Sequence, residues 1–276
     1  TQAESSAASD VYKRQVMWWQ GDLVAVSSVY DIEHNDFIES AVWRFSAEGE
    51  RHWVERMDER PWTLVEADDR LLAGLGRPRC GHLDVSGAPP FDHVLPVSSS
   101  PITCGTSGRT RGLFGQTDGS VVSHTGDVLS VENGSIEHLT CMVKGYVATT
   151  DNGLAVGRTE TGEQCWSSEG APVAAQTEAM EHEGASLLWL ARAEGAGSSV
   201  HVWATNQGGM VASGTFPKVR SMDGTAERAV VGCEDGSVHV WDRTMLQRRL
   251  ANQAAPSEGV DERTSALQAK LRALRR

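Results

Sequence analysis

One unit recurs along this chain, and it limits the fold more than any other feature. It reads as an apolar strand, a tight turn with Gly, an alternating strand, and a second turn ending in Gly. The clearest copy is Ala229 to Asp242, where Asp235-Gly236 separates Ala229-Val-Val from Ser237-Val-His-Val-Trp241. Asp-Gly between two apolar runs is the strongest short-range hairpin signal. Upstream, Leu113 to Thr117 leads into Asp118-Gly119 and Ser120-Val-Val122, and Gly145 to Thr150 leads into Asp151-Asn-Gly153 and Leu154-Ala-Val156. Looser copies begin at Leu23, Leu71 and Leu187.

Spacing decides what the repeat builds. The second-turn glycines are Gly49, Gly87, Gly126, Gly162 and Gly208, with successive gaps of 38, 39, 36 and 46 residues. A period near 40 with four short strands per unit predicts an all-β chain, a β-propeller of four-stranded blades. Six units are visible between Val16 and Leu250, and seven or more blades are expected of a full protein. The longest gap is assigned to a longer loop around Glu194 to Ser198. Asp118, Asp151 and Asp235 are expected to bond neighbouring amides and hold the tight turns. Gly119, Gly153 and Gly236 supply the positive φ those turns need. Trp43, Trp166, Trp203 and Trp241 are expected to pack between blades, because one blade cannot bury both of its faces alone.

The segment Gly236-Ser-Val-His-Val-Trp-Asp242 resembles the end of a WD40 repeat. The unit Gly145 to Trp166, ending Thr161-Gly-Glu-Gln-Cys-Trp166, is similar to the quinoprotein-like propeller repeat. The resemblance spans roughly Val16 to Leu250. It departs from consensus WD40 in lacking the Gly-His dipeptide in most units and Trp-Asp in all but one. It implies a scaffold that presents loops on two faces.

The two ends read differently. Residues 1–15, with Ser5-Ser-Ala-Ala-Ser-Asp-Val-Tyr-Lys-Arg-Gln15, are expected to be a non-native leader, with the genuine start upstream of Val16. Residues 251–276 are expected to form a polar linker around Pro256 and then a short basic helix over Asp261 to Arg276. Leu267, Leu271 and Leu274 fall on one face of that helix. From Arg243 onward there are 8 basic and 3 acidic residues, and the rest of the chain holds 17 against 34, a net of −17. An acidic body repels a polyanion, so nucleic acid is not an expected partner. No apolar run approaches the roughly 18 residues of a membrane helix, and no membrane partner is expected. The five cysteines include no C-x-x-C pair, which fits a reducing compartment, with the cytoplasm the expected location.

Catalytic patterns are not found. There is no phosphate loop, no H-E-x-x-H and no G-x-S-x-G. Cys80-Gly-His82 offers two metal ligands without a second pair. No catalytic, cofactor-binding or metal residue is assigned. The expected function is a non-catalytic propeller that binds a protein or peptide through its loops. Tyr30 to Asp36, Arg77 to Cys80 and Arg192 to Ser199 are the candidate loops. His34, Phe37, Trp53, Trp62, Leu267, Leu271 and Leu274 are the candidate contact residues. Two alternatives stand beside it. The quinoprotein resemblance implies an enzyme holding a quinone and Ca²⁺, although enzymes of that kind carry adjacent cysteines and no two cysteines here are adjacent. The other is a sensor or adaptor domain of a larger regulatory protein.

Overall fold

The computed structural model describes residues 9–31, 36–95, 100–108, 111–205 and 208–254. The alternating runs fold as antiparallel meanders, each strand bonded to the next in sequence. The first sheet contains β1 (Ser9–Trp19), β2 (Asp22–Asp31), β3 (Asp36–Phe45) and β4 (Arg51–Met57). The second contains β5 (Pro61–Ala67), β6 (Arg70–Leu75), β7 (Gly81–Asp84) and β8 (His93–Val94). The third contains β9 (Ile102–Ser107), β10 (Gly112–Gln116), β11 (Ser120–Ser123) and β12 (Val128–Val131). The fourth contains β13 (Ile136–Met142), β14 (Gly145–Thr150), β15 (Ala155–Arg158) and β16 (Gln164–Ser168). The fifth contains β17 (Val173–His182), β18 (Ala185–Glu194), β19 (Gly197–Ala204) and β20 (Gly209–Pro217). The sixth contains β21 (Val219–Gly224), β22 (Arg228–Cys233) and β23 (Val238–Asp242), followed at once by helix α1 (Arg243–Ala254).

The six sheets stack in chain order. Their first strands pack on one another, β1 on β5, β5 on β9, β9 on β13, β13 on β17 and β17 on β21. Among the described residues no comparable packing joins β21 to β1. Side chains alternate across each strand, so neighbouring residues serve opposite interfaces. Leu64 packs with Trp19, Val24 and Val42 of the first sheet, while Val65 packs with Ile102 and Phe114 of the third. Leu188 meets Val147 of the fourth sheet, while Leu187 and Trp189 meet Ala229 and Val231 of the sixth. Strands buried on both faces read as continuous apolar runs, as Leu187 to Ala191 does.

Three boundaries differ from the sequence expectation. β1 reaches back to Ser9, inside the segment set aside as a leader, and its backbone pairs with β2 from Asp31 to Asp22. Gln15 ties the first sheet to the second: its Oε1 accepts the Leu64 N–H at 2.6 Å and the Thr63 hydroxyl at 3.1 Å. Among the described residues the sixth sheet has three strands where four were expected, because the chain turns helical at Arg243. Asp242 Oδ1 caps that helix by accepting the Met245 N–H at 2.8 Å. Leu246 and Leu250, one turn apart, bury against the fifth and sixth sheets. The helix therefore lies within the range expected to be propeller, and runs into the expected linker. The helix expected over Asp261 to Arg276 lies outside the described residues. Finally, the 46-residue gap is not a long loop. β18 and β19 join through Gly195-Ala196 alone, and the extra length sits in the strands of the fifth sheet, 8 to 10 residues each.

These interfaces give two graded expectations. Leu188→Ala removes a side chain with 0% exposure and should cost about 2–5 kcal/mol. Val238→Ala, at a site 64% exposed, should stay within about 0.5 kcal/mol. Equal shifts of the urea midpoint in the two variants would refute the stacking. The second expectation concerns turns. Gly119 (φ +87°) places any Cβ 2.2 Å from the Glu132 carbonyl, in the linker after β12, whereas Gly236 (φ +84°) has nothing within 4 Å. Gly236→Ala should cost only the left-handed penalty of about 1–2 kcal/mol. Gly119→Ala should cost clearly more in the same urea titration, because backbone must also move.

Candidate functional site

The turn residues take up their roles with one change. Asp118 Oδ1 accepts the Ser120 N–H at 3.0 Å, and Asp235 Oδ1 accepts the Ser237 N–H at 2.9 Å. In the third copy the role falls to Asn152, not Asp151. Asn152 Oδ1 accepts the Thr150 hydroxyl at 2.6 Å and the Leu154 N–H at 3.3 Å. The position directly before the left-handed Gly153 (φ +86°) is the one that can reach the amide two residues on. Asp151 instead joins the linker, its N–H donating to the Ser135 carbonyl at 2.9 Å.

The tryptophans divide in the same way. Trp166 of β16 stacks on Trp203 of β19, with centroids 5.7 Å apart and planes within 2°, joining the fourth and fifth sheets. Trp241 of β23 meets Trp189 of β18 at 6.0 Å, joining the sixth to the fifth. Trp43, expected between blades, does not join two sheets: it stacks on Phe45 of its own strand at 6.2 Å, and its indole N–H donates to Ser27 Oγ of the same sheet at 2.8 Å.

Of the candidate contact residues, Trp53 and Trp62 have described side chains, and each is engaged in a separate internal contact. Trp53 packs edge-on against Phe91, in the connection between β7 and β8, at 5.2 Å. Trp62 lies against Gly76, so close that a Cβ there would stand 2.4 Å from its indole nitrogen. Both are half-buried and occupied with internal packing. The backbone of Phe37 pairs with Tyr30, and its side chain lies outside the described residues, as do His34, Leu267, Leu271 and Leu274. Of the candidate loops, Arg77 to Cys80 joins β6 to β7, whereas Arg192 to Ser199 is not a loop but the ends of β18 and β19 with the turn Gly195-Ala196 between them; residues 32–35 of the third, Tyr30 to Asp36, lie outside the described residues.

Titratable side chains are drawn into structural bonds. His124 Nδ1 accepts the Gly112 N–H at 3.3 Å, which leaves Nε2–H facing Asp68 Oδ2 at 2.9 Å. His138 and His93 donate to the carbonyls of Val173 and Cys80 at 3.1 and 3.0 Å. His82 stacks on Phe114 at 5.3 Å, and burial pushes its pKa down to about 4. Burial also pushes the Cys104 thiol up to about 12 and the Cys141 thiol up to about 11, so neither supplies a thiolate near neutral pH. Arg158 clamps Glu132 at 2.5 and 2.8 Å, joining the fourth sheet to the third. Arg192, 3% exposed, donates to the carbonyls of Gly153, Ala171 and Ser168 at 2.7, 2.7 and 3.1 Å. Among the described residues no cluster of three His, Cys, Asp or Glu side chains could hold a metal.

What the surface leaves open is apolar. β1 turns Met17 and Trp19 toward the second sheet and Val16 and Trp18 away from it, 50% and 62% exposed. The register sets Val16 beside Ala25 and Trp43, and Trp18 beside Leu23 and Phe45. The first sheet thus carries an uncovered apolar face. At the other end, His239 and Trp241 face the fifth sheet, while Val238 and Val240 face away, 64% and 52% exposed. Trp18 was missed in the sequence because Met17-Trp18-Trp19 reads as one apolar run, and only the pairing shows which member is turned outward.

Known structures share this arrangement. No protein-family model and no curated protein matches the chain. Among solved structures, BBS1N in complex with ARL6DN is similar at 14% identity, over 84% of this chain and 79% of that one, with a TM-score of 0.58. BamB from Moraxella catarrhalis is similar at 17% identity, over 81% and 82%, with a TM-score of 0.57. A chain of the Mitotic Checkpoint Complex is similar at 12% identity, over 84% and 77%, with a TM-score of 0.58. All three are β-propellers. The chain has a β-propeller fold. Identities this low speak for the fold of the propeller and for nothing finer. Among the described residues no helix is long and apolar enough to cross a membrane.

The buried histidines make the propeller sensitive to acid. His82 is held neutral in the folded state, whereas the unfolded chain protonates it near 6.5. Its contribution is therefore complete above about pH 6.5 and is lost as the pH falls toward about 4. The urea midpoint should decline across that window. His82→Phe keeps a ring on Phe114 and should make the decline shallower, though not flat, because burial also lowers the pKa of His138 and His201. An unchanged pH profile in that variant would mean that His82 is not held neutral.

Proposed function

We propose that the protein is a non-catalytic propeller that binds a protein partner, and that the partner covers the outer face of the first sheet around Trp18. One observation carries the reading. Trp18 is 62% exposed and sits with Val16 on a face that also bears the stacked Trp43 and Phe45. Large exposed aromatics at the centre of an apolar patch are the side chains that dominate protein interfaces. The titratable groups support a non-catalytic role, since His82, His93, His124 and His138 and two of the thiols are spent on packing and backbone bonds. The five cysteines stand as free thiols, which supports a reducing compartment such as the cytoplasm.

Two measurements test the proposal. A photo-crosslinking residue at Trp18 should capture a discrete protein, and one at Glu48, exposed in the turn before β4, should not. Titrated with that purified protein, Trp18→Ala should weaken binding by about 2 kcal/mol, close to 30-fold. Equal affinity of the variant would remove Trp18 from the interface. Calcium with pyrroloquinoline quinone should leave the melting temperature unchanged. A bound cofactor at about 100-fold excess over its Kd would stabilise by roughly 2.7 kcal/mol, and a shift of that size would make the cofactor-binding alternative the better reading.

A further inference from the structure

We infer that the groove between β20, β23 and α1 takes an acidic peptide segment that inserts one large apolar side chain. The groove exists because the sixth sheet has three strands among the described residues. In the fifth sheet, Trp189, Val202 and Ala212 lie side by side across β18, β19 and β20. A fourth strand in the next sheet would cover β20. Here α1 stands beyond β23 instead, and a cavity of about 200 Å³ remains between Val200, Val202, Phe216, Trp241 and Leu246, with Trp189 as its floor. That exceeds the roughly 150 Å³ of an apolar cavity known to accept a benzene ring, so a Phe or Leu side chain fits. The indole N–H of Trp189, 2% exposed, has no hydrogen-bond partner among the described residues.

Charge at the mouth chooses the flanking residues. The Arg249 guanidinium lies 4.6 Å above the Trp241 ring, at the edge of the groove. It also lines an adjoining open cleft of about 740 Å³ together with Arg228, Arg243 and Arg248, against Glu227 and Asp242. Both acids are engaged, Glu227 with Arg243 at 3.4 Å and Asp242 with the Met245 N–H. Arg248 and Arg249 pair with no carboxylate among the described residues. The acidic body does not cancel this, because charges beyond a Debye length of about 8 Å are largely screened at physiological salt. An apolar slot next to the Arg248 and Arg249 guanidinium groups, which meet no carboxylate among the described residues, matches an aromatic or aliphatic residue set among Asp and Glu, since guanidinium groups bind carboxylates in bidentate pairs.

The site rests on the protein-binding reading but lies on a different surface from Trp18. The probe is a fluorescein-labelled peptide, Asp-Glu-Phe-Glu-Asp, titrated into the full chain by fluorescence anisotropy. Binding should weaken at least about tenfold when Phe is replaced by Ala, and again when the four acids are replaced by Lys. Arg248→Glu with Arg249→Glu should cause a similar loss with only a small fall in melting temperature, since both side chains are exposed and the contact of Arg249 with Trp241 is the one described interaction removed. Gly214→Leu, on exposed β20 where a Cβ makes only ordinary contact, should fill the groove and block the peptide. Absence of binding at about 1 mM, or binding indifferent to both the arginine and the Gly214 variants, overturns the site. Should the peptide fail while Trp18 still crosslinks its partner, the groove is wrong and the protein-binding function stands. Should crosslinking fail while the peptide binds, the Trp18 face is not the interface and the groove stands.

Discussion

Every sheet in this molecule is too thin to stand alone, and each is stabilised by burying its faces against the next. Five apolar clusters lie between six sheets, one for each successive pair. A fully buried Leu or Val contributes about 1.5–3 kcal/mol, and each cluster holds at least five buried side chains. Local hairpins position the strands, but the stack gives them their stability. The first and last sheets each have one neighbour fewer among the described residues, and there the exposed Val16, Trp18, Val238 and Val240 are found. The open apolar faces of these two sheets follow from the way the sheets are stabilised, whereas Leu95, Val128, Val131 and Met210 are exposed on or beside the outer strands of the sheets between them.

Polar side chains then fix the register of one sheet on another. A slip of one residue would turn every apolar side chain to the wrong interface. Gln15 reads the Leu64 backbone, Arg44 joins Asp22 at 2.6 Å to the Ser86 carbonyl at 2.9 Å, and Arg158 clamps Glu132. Arg192 is the extreme case. Buried charge is costly unless its donors are met, and this guanidinium meets carbonyls of the neighbouring sheet and its linker in place of a carboxylate. Burial lowers its pKa, the direction expected when solvation is lost without a compensating negative charge.

The propeller was legible in the sequence because its turns demand particular residues. Gly49, Gly126, Gly162 and Gly208 all take positive φ in the structure, and the period they mark is the period of the sheets. Errors arose where local signals are degenerate. Asp151 and Asn152 are both turn residues, and only the distance to the next amide assigns the role to Asn152. Loop and strand could not be separated around Glu194, since a two-residue turn inside long strands has the same composition as a longer loop. Arg243 to Leu250 reads as the end of the last unit, and the next four residues as linker, because the repeat leads up to them, although Asp242 and the Leu246–Leu250 pair are ordinary helix signals. The exposure of Trp18 depends on which sheet lies beside β1, a long-range fact with no local sequence signature.

The replacement of a strand by a helix at the end of the sixth sheet changes what that edge can do. A fourth strand would lie flat, pair with β23 and cover β20. A helix is about 10 Å across and touches the sheets through one stripe, here Leu246 and Leu250. It leaves the outer strand of the fifth sheet partly open and points its remaining faces outward. Those faces carry Arg248 and Arg249, and Arg249 is drawn over Trp241 by the attraction of a cation for an aromatic face. The same substitution frees Gly236, whose counterparts Gly119 and Gly153 are pressed against the linkers after β12 and β16. One change of secondary structure thus produces an apolar slot, a basic mouth and a loosened turn in one place, on a chain whose body is otherwise acidic.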